Sequence, residues 1–203
     1  NIPNVLFSLA DGKPSIKILP QFEGIDSDES TKKSLMEFNF NLASGDIDSA
    51  INTARRIQSK NTWSLLAQTC IQKSRIDLVP LCLGRLGDAP SSMLVSNEED
   101  EIAKKFYAMI ALGDHDNAKK IADQSEKTDL IISLYIANGN YKEAINLARR
   151  KDRFRVPAIM YLYARSQEVK GNLHEAIKLW DEAKVLGREL PRAAIQADEI
   201  SLI

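Results

Sequence analysis

The 203 residues carry 44% hydrophobic and 27% charged side chains, which excludes a disordered or fibrous chain and suits one compact domain or one stretch of a repeat array. Twenty-seven Lys and Arg against 28 Asp and Glu leave a net charge of −1, without the basic excess by which nucleic-acid binders neutralise phosphate. No apolar run approaches the ~18 residues of a membrane span. Two cysteines, Cys70 and Cys82, and two histidines, His115 and His174, supply neither a disulfide framework nor a zinc-ligand spacing.

The chain opens at Asn1, shows no basic-then-apolar leader and ends within an apolar pattern at Leu202-Ile203, so it reads as a piece of a longer intracellular protein. Residues 1–29 hold Pro3, Pro14 and Pro20 and no helical period. Ile16-Lys17-Ile18 alternates like a strand but is too short to stand alone. This stretch reads as an extended linker, or as the last strand of a preceding domain. Asp26-Ser27-Asp28-Glu29-Ser30 then offers the side-chain oxygens that cap a helix start.

From residue 30 the period becomes helical. Ile47, Ala50, Ile51, Ala54 and Ile57 fall on one stripe; so do Trp63, Leu66, Ala67, Cys70 and Ile71, and later Leu173, Ala176, Ile177, Trp180 and Ala183. Ile102, Phe106, Met109 and Ile110 form a fourth. The pattern predicts helix pairs over roughly 31–57, 60–86, 98–123, 126–150 and 156–186, with a partial sixth pair from about Pro191. Pro157 and Pro191 suit first helical turns. Pro80, by contrast, must delay or kink its helix. Gly87 to Asn97 is expected to be a long loop, with Ser96 and Glu99 forming a capping box for the next helix.

A short pattern recurs at the centre of the pairs. Gly45, Gly113, Gly139 and Gly171 are each followed by Asp or Asn and, five residues after the glycine, by Ala50, Ala118, Ala144 and Ala176. Ser74 and Val79 keep the same spacing in a weaker copy, and the marks recur about every 31 residues, the period of helix-hairpin arrays. The chemistry explains the residue types. Glycine accepts the left-handed conformation that ends the first helix, Asp or Asn caps the second, and the small residue one turn later lets the two helices approach closely. The predicted fold is therefore all-α, an α-solenoid of tetratricopeptide-like helical hairpins over residues 30–203. Since one hairpin cannot bury its own apolar face, neighbours stack in a right-handed array into a shared core.

Residues that could carry chemistry have simpler roles. His115 lies between Asp114 and Asp116, but the three occupy a helix-start turn where carboxylates favour the helix dipole. His174 sits in another such turn. Cys70, Cys82, Trp63 and Trp180 read as core. There is no phosphate-cradling glycine loop, nucleophile elbow or HExxH, so neither a catalytic residue nor a cofactor, metal or small-molecule substrate is expected. Glu98-Glu99-Asp100-Glu101 reads as a cluster in one helix's first turn. The densest charge run is Arg149-Arg150-Lys151-Asp152-Arg153-Phe154-Arg155; the exposed carbonyls of a helix end account for the first three cations, and Arg149, Arg150, Lys151, Arg153 and Arg155 are the candidate partner-binding residues, suited to an acidic protein surface or a lipid headgroup.

Two resemblances follow. Gly171-Asn172, Glu175-Ala176-Ile177, Trp180 and Ala183 resemble a tetratricopeptide unit. Gln21-Phe22-Glu23-Gly24-Ile25-Asp26-Ser27-Asp28, Met36-Glu37-Phe38-Asn39-Phe40, Ser44-Gly45-Asp46-Ile47-Asp48-Ser49-Ala50, Trp63, Leu66-Ala67, Cys70 and Leu81-Cys82-Leu83-Gly84-Arg85-Leu86-Gly87 form an ordered series. That series resembles the start of the helical region in the intraflagellar transport protein 140 family, a subunit of complex A, most closely over residues 20–95. The resemblance implies WD40 propellers upstream, with residues 1–29 leaving the second of them, and a non-enzymatic scaffold that assembles with other complex A subunits for retrograde transport and membrane-protein entry in cilia. It implies a location at the cilium or flagellum and basal body, on the cytoplasmic side. A scaffold subunit of a vesicle coat or sorting complex is the alternative.

Overall fold

The computed structural model describes residues 4–8, 14–18, 29–57 and 59–184. Strands β1 (Asn4–Ser8) and β2 (Pro14–Ile18) pair antiparallel, with Leu6 opposite Ile16. The Ile16–Ile18 alternation thus finds its partner in a segment whose Val5-Leu6-Phe7 gave no period of its own. Everything described after them is helix and turn. The chain divides into two compact units, residues 1–112 and 113–203.

The first unit contains α1 (Glu29–Ser44), α2 (Ile47–Ile57), α3 (Lys60–Gln72), α4 (Val79–Leu86), α5 (Ala89–Asn97) and α6 (Glu101–Ala111). Leu35 and Phe38 of α1 are buried, as is the whole α2 stripe predicted from the sequence, and the two helices pack together. Trp63, Leu66, Ala67, Cys70 and Ile71 of α3 are buried as expected, α3 packing on α4 and α6. Each large apolar side chain so covered contributes about 1.5–3 kcal/mol. Pro80 delays its helix instead of kinking it: a 3-10 turn over Ile76–Leu78 precedes α4, and Pro80 sits in the first turn, where its missing N–H leaves no gap.

Residues 89–97 depart from the expected loop and form α5. Asp88 accepts a hydrogen bond from the Ser91 N–H at 3.1 Å, Pro90 occupies the first turn, and the Ser92 hydroxyl donates to the Pro80 carbonyl at 2.7 Å, tying α5 to α4. The expected Ser96–Glu99 capping box is absent from this stretch. Asp100 caps α6 by accepting from the Ala103 N–H at 2.8 Å, while Glu98 accepts from the N–H groups of Glu99 and Asp100. Of the acidic cluster only Glu101 lies in the first turn of α6. The α6 stripe is also rotated from the predicted one: Ala103, Phe106 and Met109 are buried, whereas Ile102 is exposed and Ile110 half-buried.

The second unit contains α7 (His115–Ser125), α8 (Thr128–Ala137), α9 (Tyr141–Lys151), α10 (Val156–Val169) and α11 (Leu173–Glu182). Its core runs from Ile132 of α8 through Ala144, Ile145 and Ala148 of α9 and Ile159, Met160 and Ala164 of α10 to Ile177 and Trp180 of α11. Tyr141 and Tyr163 stack at 5.1 Å along its margin. Pro157 lies in the first turn of α10, as expected. The helix expected from Pro191 and the Asp26–Asp28 helix start fall outside the described residues.

Candidate interaction surface

Each repeat turn is a backbone device. At Gly139, φ is +75°, and the Gly139 N–H donates to the Ile136 carbonyl at 3.0 Å while the Asn140 N–H reaches back to the Tyr135 carbonyl at 2.8 Å. These two bonds satisfy carbonyls that the end of α8 would otherwise leave open, and they require the left-handed residue between them. The same pair of bonds recurs at Gly45, Gly171 and Ser74, the last a non-glycine residue at φ +59°. Gly113 is left-handed as well. The sequence reading missed a further copy, Gly87-Asp88, which has the same two bonds and the same Gly-Asp signature.

The small residues take the places assigned to them. Ala50, Ala118, Ala144 and Ala176 have no exposed surface, nor does Val79 in the weaker copy. The caps divide by side-chain chemistry. Asp46 accepts from the Ser49 N–H at 3.0 Å and Asp114 from the Asn117 N–H at 3.3 Å, but Asn140 and Asn172 make no such bond. Asn172 instead donates to the Gln167 side chain at 2.8 Å. A carboxylate attracts N–H groups at a helix start more strongly than a neutral amide does. The Ser49 N–H holds the Asp46 carboxyl below its ordinary value, and Arg75, donating at 3.1 and 3.2 Å, does the same for Asp77.

Cys70 and Cys82 are free and fully buried, and the structure brings them together across α3 and α4. The neighbouring Cys70 thiol pushes Cys82 up, with burial adding to the rise. They stand twelve positions apart in the sequence, on helices that pack together. Trp63 is buried, with the Arg85 guanidinium 5.8 Å from its ring centre, and Trp180 is fully buried. His115 is half-buried in the first turn of α7, whereas His174 is exposed in that of α11. No group of three or more His, Cys, Asp or Glu among the described residues could hold a metal ion.

The basic run joins α9 to α10. Arg149, Arg150 and Lys151 form the exposed last turn of α9, where the open carbonyls favour cations. A 3-10 turn over Arg153–Arg155 follows, and the Arg153 Nε donates to the Arg149 carbonyl at 3.2 Å. Arg155 is already engaged, 3.1 Å from Asp152 and 3.8 Å from Asp129. Arg149, Arg150, Lys151 and Arg153 therefore make the outward patch, and Arg155 braces the turn. Phe154, between two arginines, is 97% exposed.

Paired helices, recurrent left-handed turns and a fully buried alanine five residues after Gly45, Gly113, Gly139 and Gly171 describe tetratricopeptide-type hairpins. The family model of the tetratricopeptide (TPR) domain shared by intraflagellar transport proteins 140 and 172 matches residues 45–201. The chain belongs to this family. Its described residues from 45 onward are the all-α helical hairpins of that family's repeat region. Membership makes the chain a scaffold-type component of intraflagellar transport, associated in general with cilia and with other intraflagellar transport proteins. Helical domains of this kind are typically non-catalytic. Among the described residues, no helix is long and apolar enough to cross a membrane.

Proposed function

We propose that this intraflagellar transport repeat region is a non-enzymatic scaffold segment of a complex A subunit, working in retrograde transport and ciliary membrane-protein entry. The family match over residues 45–201 carries the reading. The ordered series from Gln21 to Gly87 supports the finer assignment to the complex A subunit. In this reading residues 1–29 lead out of an upstream WD40 propeller, and residues 30–203 form the repeat domain, located in the cilium and basal body on the cytoplasmic side.

The mechanism is surface complementarity. Hydrogen-bonded turns and a shared core hold each hairpin rigid, so exposed side chains are presented at fixed spacing, and affinity comes from a few aromatic or arginine anchors. Arg149, Arg150, Lys151 and Arg153 are such candidates, with Arg155 holding their turn in place. The test is recovery of a tagged chain from ciliated cells with quantification of its partners. Enrichment of complex A subunits is expected. Recovery of vesicle-coat or sorting subunits without complex A would overturn the assignment, and steep salt-dependent binding of an oligonucleotide would contradict the protein-binding reading itself.

A further inference from the structure

In the second unit, the large hydrophobic side chains that stand exposed among the described residues are Phe154, Leu162 and Val169, at 97%, 44% and 87%. They are not scattered. On α10, Ala158, Leu162, Arg165 and Val169 are all exposed at spacings of four, three and four residues, which puts them on one face of the helix, and Phe154 is exposed in the 3-10 turn just ahead of that helix. The opposite face, Ile159, Met160 and Ala164, is already buried against α9 and α11. Among the described residues, this second apolar strip is left out of the core of its own unit. From Ala158 to Val169 it runs about 16 Å at 1.5 Å per residue, three helical turns.

We propose that this strip, headed by Phe154, docks an acidic amphipathic helix of a partner protein. The proposal rests on the scaffold reading above and names the chemistry of one partner segment. Charge complementarity commits it to that occupant. Residues 141–170 hold eight Lys and Arg against three acidic residues, Glu143, Asp152 and Glu168, although the whole chain is at −1. Asp152 is taken up by Arg155. Arg149, Arg150, Lys151 and Arg153, all exposed, come just before the head of the strip in the chain, Arg165 interrupts its middle and Lys170 follows its foot. An apolar row with cations at both ends and one in the centre matches a helix with apolar residues at i, i+4 and i+7 and carboxylates beside them. A lipid surface fits less well: inserting Leu162 and Val169 among acyl chains would carry Arg165 between them toward hydrocarbon, whereas a facing carboxylate pairs it.

The test selects from a displayed library of random 16-residue helical peptides against the whole chain. Enriched peptides are expected to be acidic, to carry apolar residues at helical spacing and to bind more weakly as salt rises. Phe154→Ala and Val169→Glu, both at exposed positions, should each weaken the enriched peptides about tenfold or more with unchanged helicity, and Arg165→Glu several-fold. Met93→Glu, exposed in the first unit, should leave binding unaltered. Enrichment without acidic bias, or binding that survives Val169→Glu, overturns the proposal. So does Val169-dependent binding of phosphatidylserine vesicles when no peptide binds. If the peptide selection fails while the chain still recovers complex A subunits, the strip falls and the scaffold reading stands; peptide binding as described with no recovery of those subunits rejects the scaffold reading alone.

Discussion

Gly139 isolates the energetics of the repeat turn. Its φ of +75° lies where an L side chain clashes with its own backbone, at a cost of roughly 1–2 kcal/mol. A Cβ placed there meets nothing within 4 Å, so no packing clash adds to that cost. Alanine also stiffens the unfolded chain, which returns about 0.4–1 kcal/mol. Gly139→Ala should therefore cost up to about 1.5 kcal/mol by the difference of these two ranges. Gly139→Val should cost more, because a β-branched residue resists positive φ, and Gly139→Asn should cost least. Ser74 supplies the converse experiment: it holds φ +59° without being glycine, so Ser74→Gly should stabilise the chain by up to about 1.5 kcal/mol, the same two effects reversed. Urea unfolding followed by circular dichroism reads both changes, at an unchanged dependence on denaturant. Equal stability of Gly139→Val and the parent, or a loss in Ser74→Gly, would refute the backbone account. A loss above about 3 kcal/mol in Gly139→Ala would mean that packing, not φ, governs the turn.

Three further outcomes follow from the same geometry. Ala176→Leu should cost about 1–3 kcal/mol by overpacking a site with no free surface, whereas Ala137→Leu, exposed at the end of α8, should stay within about 0.5 kcal/mol of the parent in the same unfolding assay. Asp100→Ala should destabilise α6 by about 0.5–2 kcal/mol and Ser96→Ala should not, since Asp100 makes the capping bond; the reverse order would restore the expected capping box. Asp46 and Asp77 are depressed in the folded chain, so their stabilisation is fully present above the ordinary carboxylate value near 3.9 and fades as pH falls below it. Unfolding measured from pH 7 to pH 2 should show Asp46→Asn less stable than the parent at neutral pH and converging on it in acid; a gap that persists at pH 2 contradicts the cap.

The architecture was legible because the signals were redundant. Gly139, Asn140 and Ala144 mark one turn, their counterparts mark others, and the stripes of α2, α3 and α11 agree with those turns. Where only one signal was available the reading went astray. Pro90 and two serines suggested a loop, yet Asp88 capping Ser91 and the Ser92–Pro80 bond make α5, and the second of these depends on where α4 lies. The Ile102 stripe failed because the helical period fixes spacing but not which face meets the neighbours: Ala103, not Ile102, turned inward. Asn140 and Asn172 showed that the turn bonds of the backbone do not need a side-chain cap. The basic run was visible, but its division was not: nothing local to residues 149–155 shows Asp129 approaching Arg155. The α10 strip was hidden for a related reason. Leu162 and Val169 look like core until Ile159, Met160 and Ala164 are seen to fill that role.

Cover of the α9–α10 corner by other transport proteins is what the docking proposal adds to the scaffold reading. Cross-linking mass spectrometry on assembled intraflagellar transport particles tests this most directly, using an amine-to-carboxyl reagent on Lys151 and Lys170, which flank the strip. Abundant links are expected from both lysines to acidic segments of other transport subunits, lost when Phe154→Ala and Val169→Glu are combined. Intact particles in which both lysines link only within their own chain would contradict it.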